Sequence, residues 1–271
     1  MASPMSDQKV LDNLQDVKHI IIVLSGKGGV GKSTVATSLA RTLADNGHRV
    51  GLLDADIHGP SVPKLLGITQ GQLMQSNGQI QPLDVSPQLS VVSISFLLKD
   101  ADSPVIWRGP MKMGIIKQFL GDIHWGTRDY LIIDLPPGTG DEPLTIAQLL
   151  PHADGAVIVT TPQDVALISV RKSIGFVQKL NLPVIGIIEN MSGLTCPHCG
   201  KTIDVFKTQG GKRIAKEFKV PFLGAIPLDP SIVTSGDAGE SLVVEASKKT
   251  QQAFQTIIHN IENQVRDSPS T

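Results

Sequence analysis

Nine consecutive residues, Gly26-Lys27-Gly28-Gly29-Val30-Gly31-Lys32-Ser33-Thr34, limit what this chain can fold into more than any other stretch. They follow the apolar run Ile20-Ile21-Ile22-Val23-Leu24 and precede a helix-like run over 34–45. The spacing matches G-x-x-x-x-G-K-[ST], counted through Gly26, Gly31, Lys32 and Ser33. Strand, glycine loop and helix in that order make a phosphate-binding loop. Glycines let backbone N–H groups close around phosphate oxygens, and the helix N-terminus behind them adds a favourable dipole. In this reading Lys32 reaches the β- and γ-phosphates, and the Ser33 hydroxyl binds Mg²⁺.

The rest of the chain reads as a scaffold for that loop. Apolar runs at 19–25, 49–53, 89–96, 130–134, 155–160, 184–189 and 221–225 predict strands. Helical patterns at 34–45, 111–120, 142–150, 164–180, 210–218 and 245–265 fall between them. The strands are continuously apolar rather than alternating, as expected of a parallel sheet covered on both faces. The fold class is therefore α/β, a doubly wound, mainly parallel sheet with helices on both faces. Residues 62–90 read as a short helix near Pro63–Leu66 followed by a loop or hairpin. Residues 1–18 read as a short N-terminal extension with some helix, 19–265 as a single domain, and 266–271 as a flexible tail. The 271 residues suffice for one large core.

Charge excludes more than it selects. A net charge of −1 gives no electrostatic case for nucleic acid or an acidic membrane. No apolar run approaches the ~18–20 residues of a membrane span. The first sixteen residues lack the apolar stretch of a secretory leader. The expected setting is cytoplasmic, with no nucleic acid and no membrane as partner.

In doubly wound sheets ligands bind beyond the carboxyl ends of the strands. Three polar segments fall there: Asp54-Ala55-Asp56, the stretch 134–141 (DLPPGTGD), and Glu189-Asn190-Met191-Ser192. Asp134 is placed to hold Mg²⁺ and Asp56 to orient or deprotonate an attacking water. Asn190 either reads an adenine edge or serves a turn, and spacing alone leaves both open.

The chain has two cysteines, in Cys196-Pro197-His198-Cys199-Gly200. C-P-x-C-G is a tight turn that points two thiolates at one place, which suits zinc or the iron of an iron–sulfur cluster. Either normally takes four ligands. The other two come from histidine or carboxylate, or from Cys196 and Cys199 of a second copy of the chain. A redox pair of the thioredoxin type is a third option, disfavoured because the motif does not open a helix after the first strand.

Lys27 adds a second lysine that an ordinary phosphate loop does not require. With it, residues 26–34 resemble the deviant Walker A loop of the MinD/ParA/nitrogenase-iron-protein class, and chemistry alone would leave Lys27 a solvated loop lysine. Taken with 54–63 (DADIHGPSVP), 107–111 (WRGPM), 130–141 (YLIIDLPPGTGD), 189–192 (ENMS) and 196–200 (CPHCG), the chain resembles the Mrp/ApbC family of P-loop ATPases. The matching stretches span about residues 18–240. The resemblance implies a homodimer with ATP sites near its interface and a [4Fe–4S] cluster bridged by Cys196 and Cys199 of both subunits. It implies that Gly28 through Thr34 bind phosphate and that Lys27 reaches across to the partner's nucleotide. It assigns Ser33 and Asp134 to Mg²⁺, Asp56 to hydrolysis and Asn190 to adenine. The segment Pro227-Leu228-Asp229-Pro230 resembles a second nucleotide-base loop. The implied function is an ATP-hydrolysing carrier that delivers the cluster to apo-proteins. The rival readings are a zinc-bridged dimeric ATPase scaffold and a MinD/ParA-like positioning ATPase.

Overall fold

The computed structural model describes residues 7–69, 71–76, 79–97, 109–196, 198–240 and 243–266. A short helix, α1 (Asp7–Leu14), leads into β1 (Val17–Ser25). Val10 and Leu14 of α1 are buried in the main core. From β1 the chain passes through α2 (Lys32–Asp45), β2 (Val50–Asp54) and α3 (Val62–Leu65). It then forms three short strands, β3 (Met74–Ser76), β4 (Gln79–Gln81) and β5 (Leu83–Ser86), before β6 (Leu89–Ser93). Next come α4 (Gly109–Gly121), β7 (Arg128–Asp134), α5 (Asp141–Leu149), β8 (Gly155–Thr160), α6 (Asp164–Lys179) and β9 (Val184–Glu189). The last part holds β10 (Leu194–Thr195), β11 (Thr202–Ile203), α7 (Gly210–Phe218), β12 (Phe222–Ala225), α8 (Pro230–Ala238) and α9 (Lys248–Arg266).

Eight strands form one sheet in the order β12-β9-β8-β1-β7-β2-β6-β5. All neighbours are parallel except the β5–β6 edge pair. The mainly parallel, doubly wound class is what the continuous apolar runs predicted. Its cause is visible in β1. Ile20, Ile22 and Leu24 join the core under α1, α4, α5, α6 and α7. Ile21 and Val23 join the opposite core under α2 and α9. With both faces covered, every position from Ile20 to Leu24 must be apolar. Trp125 is fully buried just before β7 and donates its indole N–H to Phe119 O at 2.9 Å. A Cβ at Gly51 would lie 2.8 Å from that ring, so β2 needs glycine there.

The chain leaves β1 toward β2 on one side and leaves β7 toward β8 on the other. The carboxyl ends of β1 and β7 are therefore the switch point where such sheets bind ligands. The glycine loop, 26–31, sits there.

Several local expectations differ. The run 89–96 stops as strand at Ser93 and turns into a 3₁₀ turn over Ile94–Leu97. The C-terminal helix begins at Lys248 rather than 245. The 62–90 region contains a β3–β4 hairpin and an antiparallel edge strand, β5. Helix α8 was not expected, although its signal is present: Asp229 caps it and Pro230 opens it. Of the WRGPM stretch, Trp107 and Arg108 lie outside the described residues, as do Pro197 and all of the expected tail except Arg266.

Candidate functional site

The glycine loop is held from several sides. Gly29 and Gly31 both have φ of +78°, where a side chain strains the backbone, and Gly31 is the N-cap of α2. A Cβ at Gly26 would come within 2.5 Å of the Ser169 backbone in α6. Val30 is buried and pins the middle of the loop. The Asn190 side chain donates to Val30 O at 2.9 Å, and a Cβ at Gly31 would clash with that same amide nitrogen. Beneath the loop lies a cavity of about 210 Å³, lined in part by Gly28, Gly31, Lys32, Ser33, Asp56 and Pro137. Thr34 also lines it. Lys27 is on the rim and exposed.

Three carboxylates converge below the cavity. Asp54 and Asp134 are register partners at the ends of β2 and β7, and both are fully buried. Lys32, only 6% exposed, donates to Asp134 Oδ1 at 2.6 Å and to Ser33 Oγ at 3.1 Å. Its ammonium is also 3.8 Å from Asp56 Oδ2. The other Asp134 oxygen, Oδ2, is buried with no partner among the described residues. Burial pushes the Asp134 carboxyl up, while the Lys32 charge and hydrogen bond pull it down. Burial, followed by the neighbouring Asp134 charge, pushes the Asp54 carboxyl well up from its ordinary value. Asp54 accepts from Ser93 Oγ at 2.9 Å and from the Asp56 backbone N–H at 3.2 Å. It thereby sets the bend that presents Asp56.

Backbone bonds fix the loop after β7 against the glycine loop. Leu135 N donates to Val23 O at 3.0 Å, and Gly138 N to Ser25 O at 2.7 Å. Pro137 is thus held over the cavity. A carboxylate with one orphaned oxygen, bonded to the cavity-lining Lys32 and accompanied by the cavity-lining Ser33 hydroxyl, is a donor set suited to a hard cation that carries phosphate oxygens.

The cysteine pair occupies the turn of a two-stranded hairpin, β10–β11, in which Leu194 pairs with Ile203 and Thr195 with Thr202. Cys196 N donates to Lys201 O, and Gly200 N to Cys196 O, both at 2.9 Å. Backbone amides of Cys199 and then His198 donate to the Cys196 sulfur and hold its thiol below the ordinary value. Both cysteines are free thiols; Cys196 is half-buried and Cys199 exposed. Among the described residues no group of three or more His, Cys, Asp or Glu is placed to hold a metal.

The remaining sequence candidates lie between these two places. Asn190 braces the phosphate loop through Val30. Ser192 N then donates to Ile226 O, and Leu228 N to Gly193 O, so the 226–228 segment runs beside the 190–193 segment. Pro227 sits on that segment, half-buried. The Asp229 carboxylate is taken up by Ser231 N and Oγ, Ser247 N and Thr250 Oγ1. It caps α8 and anchors the entry to α9.

Two residues received no role from the sequence, although Glu189 lies in one of the three strand-end segments. Glu189 is fully buried at the end of β9 and accepts from Ser192 Oγ, Gln209 N and Gly211 N. It joins the Asn190 turn to the start of α7. Lys112 in α4 bonds His58 Nε2 at 2.7 Å and Glu142 Oε1 at 3.0 Å. The only sequence trace of Lys112 is that it directly follows WRGPM.

Comparison with known proteins agrees with this geometry. The ParA family profile, described as NUBPL iron-transfer P-loop NTPase, matches residues 16–262. An iron-sulfur cluster carrier protein of Methanocaldococcus jannaschii is 49% identical over 259 residues, covering 94% of this chain and 89% of that protein. A cytosolic Fe-S cluster assembly factor NUBP2 homolog of Nematostella vectensis is 51% identical over 236 residues, covering 86% of this chain and 87% of its own. The solved nucleotide-binding protein of Archaeoglobus fulgidus in complex with ADP superposes with a TM-score of 0.79 at 39% identity, covering 88% of this chain and 93% of that one.

Proposed function

The chain belongs to the ParA family of NUBPL iron-transfer P-loop NTPases, and from that premise we propose that it is an ATP-hydrolysing carrier of iron–sulfur clusters. In this reading it holds a [4Fe–4S] cluster between the knuckles of a homodimer and delivers it to apo-proteins. The observation that carries the proposal is the pairing of a complete phosphate site with an incomplete metal site on one chain. The knuckle offers two thiols, and no further ligand group stands with them among the described residues. A second copy supplies the missing pair. The same face bears further support. Val165 and Ile168 of α6 are 64% and 57% exposed on the helix that packs against Gly26, beside Lys27. An apolar pair next to a rim lysine suits contact with a second copy.

ATP enters the glycine-lined cavity with its phosphates on the loop amides. Lys32 turns from Asp134 toward the β- and γ-phosphates. Ser33 and Asp134 would hold Mg²⁺, which would neutralise charge on the phosphate oxygens. Asp56 orients the attacking water, and Lys27 of each subunit reaches the other's nucleotide. Separating the subunits would break half the ligation of the cluster, which makes it transferable. Helix α9 buries Phe254, Ile257, Ile258, Ile261 and Val265 against the core, so its apolar stripe is not free for a membrane. Among the described residues no helix is long and apolar enough to cross one. A cytoplasmic setting follows the relative whose name places it in the cytosol.

Anaerobic reconstitution with iron and sulfide tests the proposal. The expected product is a dimer with about four irons and four sulfides, lost in Cys196→Ala/Cys199→Ala. Zinc at one per dimer with no iron–sulfide uptake would replace the carrier with the zinc-bridged scaffold.

A further inference from the structure

The Asp56 loop and the Pro137 loop both line the phosphate cavity, and they leave the neighbouring strands β2 and β7, which come from distant parts of the chain. Between them and α4 lies a second, larger cleft of about 720 Å³. Its lining includes Asp56, His58, Lys112, Pro137 and Glu142. Lys112, in the first turn of α4, spans it. The ammonium donates to His58 Nε2, two residues beyond Asp56, and to Glu142 Oε1, five residues beyond Pro137. The Lys112 and Glu142 side chains are only 14% and 12% exposed, unlike the solvated pairs common on protein surfaces. One side chain thus joins α4 to both loops, beyond the point where the β2–β7 ladder between them ends at Ala55 N to Asp134 O, 2.9 Å.

We propose that Lys112 is a positioning residue that ties the Asp56 loop to the Pro137 loop, and so fixes where the attacking water stands relative to the γ-phosphate. Lys112 does not line the phosphate cavity, and its effect passes through His58 and Glu142. It is therefore needed for the chemical step more than for nucleotide affinity. Through it α4 also feels which way the two loops lie. The inference rests on the ATPase reading and deepens it.

The test compares wild type with Lys112→Met, Lys112→Arg, Glu142→Gln and the double variant Lys112→Met/Glu142→Gln. Met keeps the aliphatic stem and removes the charge. Lys112→Met should lower kcat by about tenfold or more while KM for ATP and Kd for ADP stay within about twofold. Lys112→Arg should recover part of the loss, because a guanidinium can still bridge the two partners. The double variant should be no slower than Lys112→Met, since both changes break one link. Hydrogen exchange on the ADP-bound protein gives a readout that needs no turnover. Residues 55–61 and 136–142 should both exchange faster in Lys112→Met. An active wild type with unchanged kcat in Lys112→Met would overturn the inference, as would exchange that rises in α4 alone. A wild type without turnover would sink the ATPase reading, and the exchange result would still decide whether Lys112 ties the loops.

Discussion

The phosphate loop follows β1 and the cysteine knuckle follows β9, and the two regions are built in opposite ways. The loop is over-determined. It is wedged against α6 at Gly26, capped onto α2 at Gly31, braced by Asn190 and underlain by Lys32 with buried carboxylates. The knuckle is the turn of a two-residue ladder, with one sulfur half-buried and the other exposed. The contrast follows their tasks. A site that must stabilise developing charge on phosphate needs fixed dipoles in place beforehand. In the proposed function the knuckle receives and gives up a cargo, which needs access, and it would gain from leaving half its ligands to a second copy that can move away.

The largest break in this comparison comes from Lys32. Its ammonium is the cation that faces both Asp134 and Asp56. Lys32→Ala should reduce ATP turnover by about 10²-fold or more, because the transition-state charge loses its fixed partner. It also leaves Asp134 buried with no cation, which costs about 3–5 kcal/mol unless the carboxyl takes up a proton. Adding Asp134→Asn should restore most of the stability and none of the turnover. Thermal melts and phosphate-release assays on the single and double variants separate the two losses. Full turnover in Lys32→Ala would remove Lys32 from the site.

How much of this was legible in the chain depends on whether the signal is local. The phosphate loop is nine consecutive residues whose glycines and lysine carry their own reason, so it could be read without the fold. The α/β class was legible because burial on both faces forces continuous apolar strands. The knuckle was legible as a turn but not as a hairpin, since β10 and β11 have two residues each and no periodicity. What could not be read is what depends on strand order. Asp54 and Asp134 are 80 residues apart and meet only because β7 inserts between β1 and β2. Asp54 therefore read as a loop carboxylate, whereas it is a buried acid shaping the bend before Asp56. Glu189 was visible as a strand-end carboxylate but its hold on the start of α7 was not, and Lys112 carried no readable role because its partners lie 54 and 30 residues away. Helix α8 was missed because Pro227-Leu228-Asp229-Pro230 read as a ligand loop, when Asp-Pro is also a helix start.

Asn190 sharpens the comparison because it lies on the link between the two regions. Its amide satisfies Val30 O in the loop, and four residues later β10 begins the knuckle. Asn190→Ala leaves a buried carbonyl unpaired, worth about 1–3 kcal/mol, and should weaken ADP by about tenfold. Two roles are open to it, and the ligand distinguishes them. If the amide braces the loop, inorganic pyrophosphate loses affinity in step with ADP. If it reads adenine, ADP weakens and pyrophosphate does not. The bond to Val30 predicts the first outcome, measured by competition titration.

The smallest expected effect lies on the knuckle side, at Asp229. Leu228 pairs with Gly193 and Leu194, so the segment that Asp229 anchors is the base on which the hairpin rests. Burial pushes the Asp229 carboxyl up, but hydrogen bonds from Ser231, Thr250 and Ser247 outweigh it and hold the carboxyl well below the usual range. A folded-state pKa below the unfolded value stabilises the protein at pH above about 4, and that stability is lost as pH falls further. Asp229→Ala should cost about 1 kcal/mol at neutral pH through loss of the cap. The difference from wild type should shrink as urea melts are moved from pH 5 toward pH 3. Because Asp229 stands away from the phosphate cavity, ADP affinity at neutral pH should not change. A loss of ADP affinity matching that of Asn190→Ala would instead place Asp229 with the nucleotide base, and the division between a rigid loop and a separately anchored knuckle would have to be redrawn.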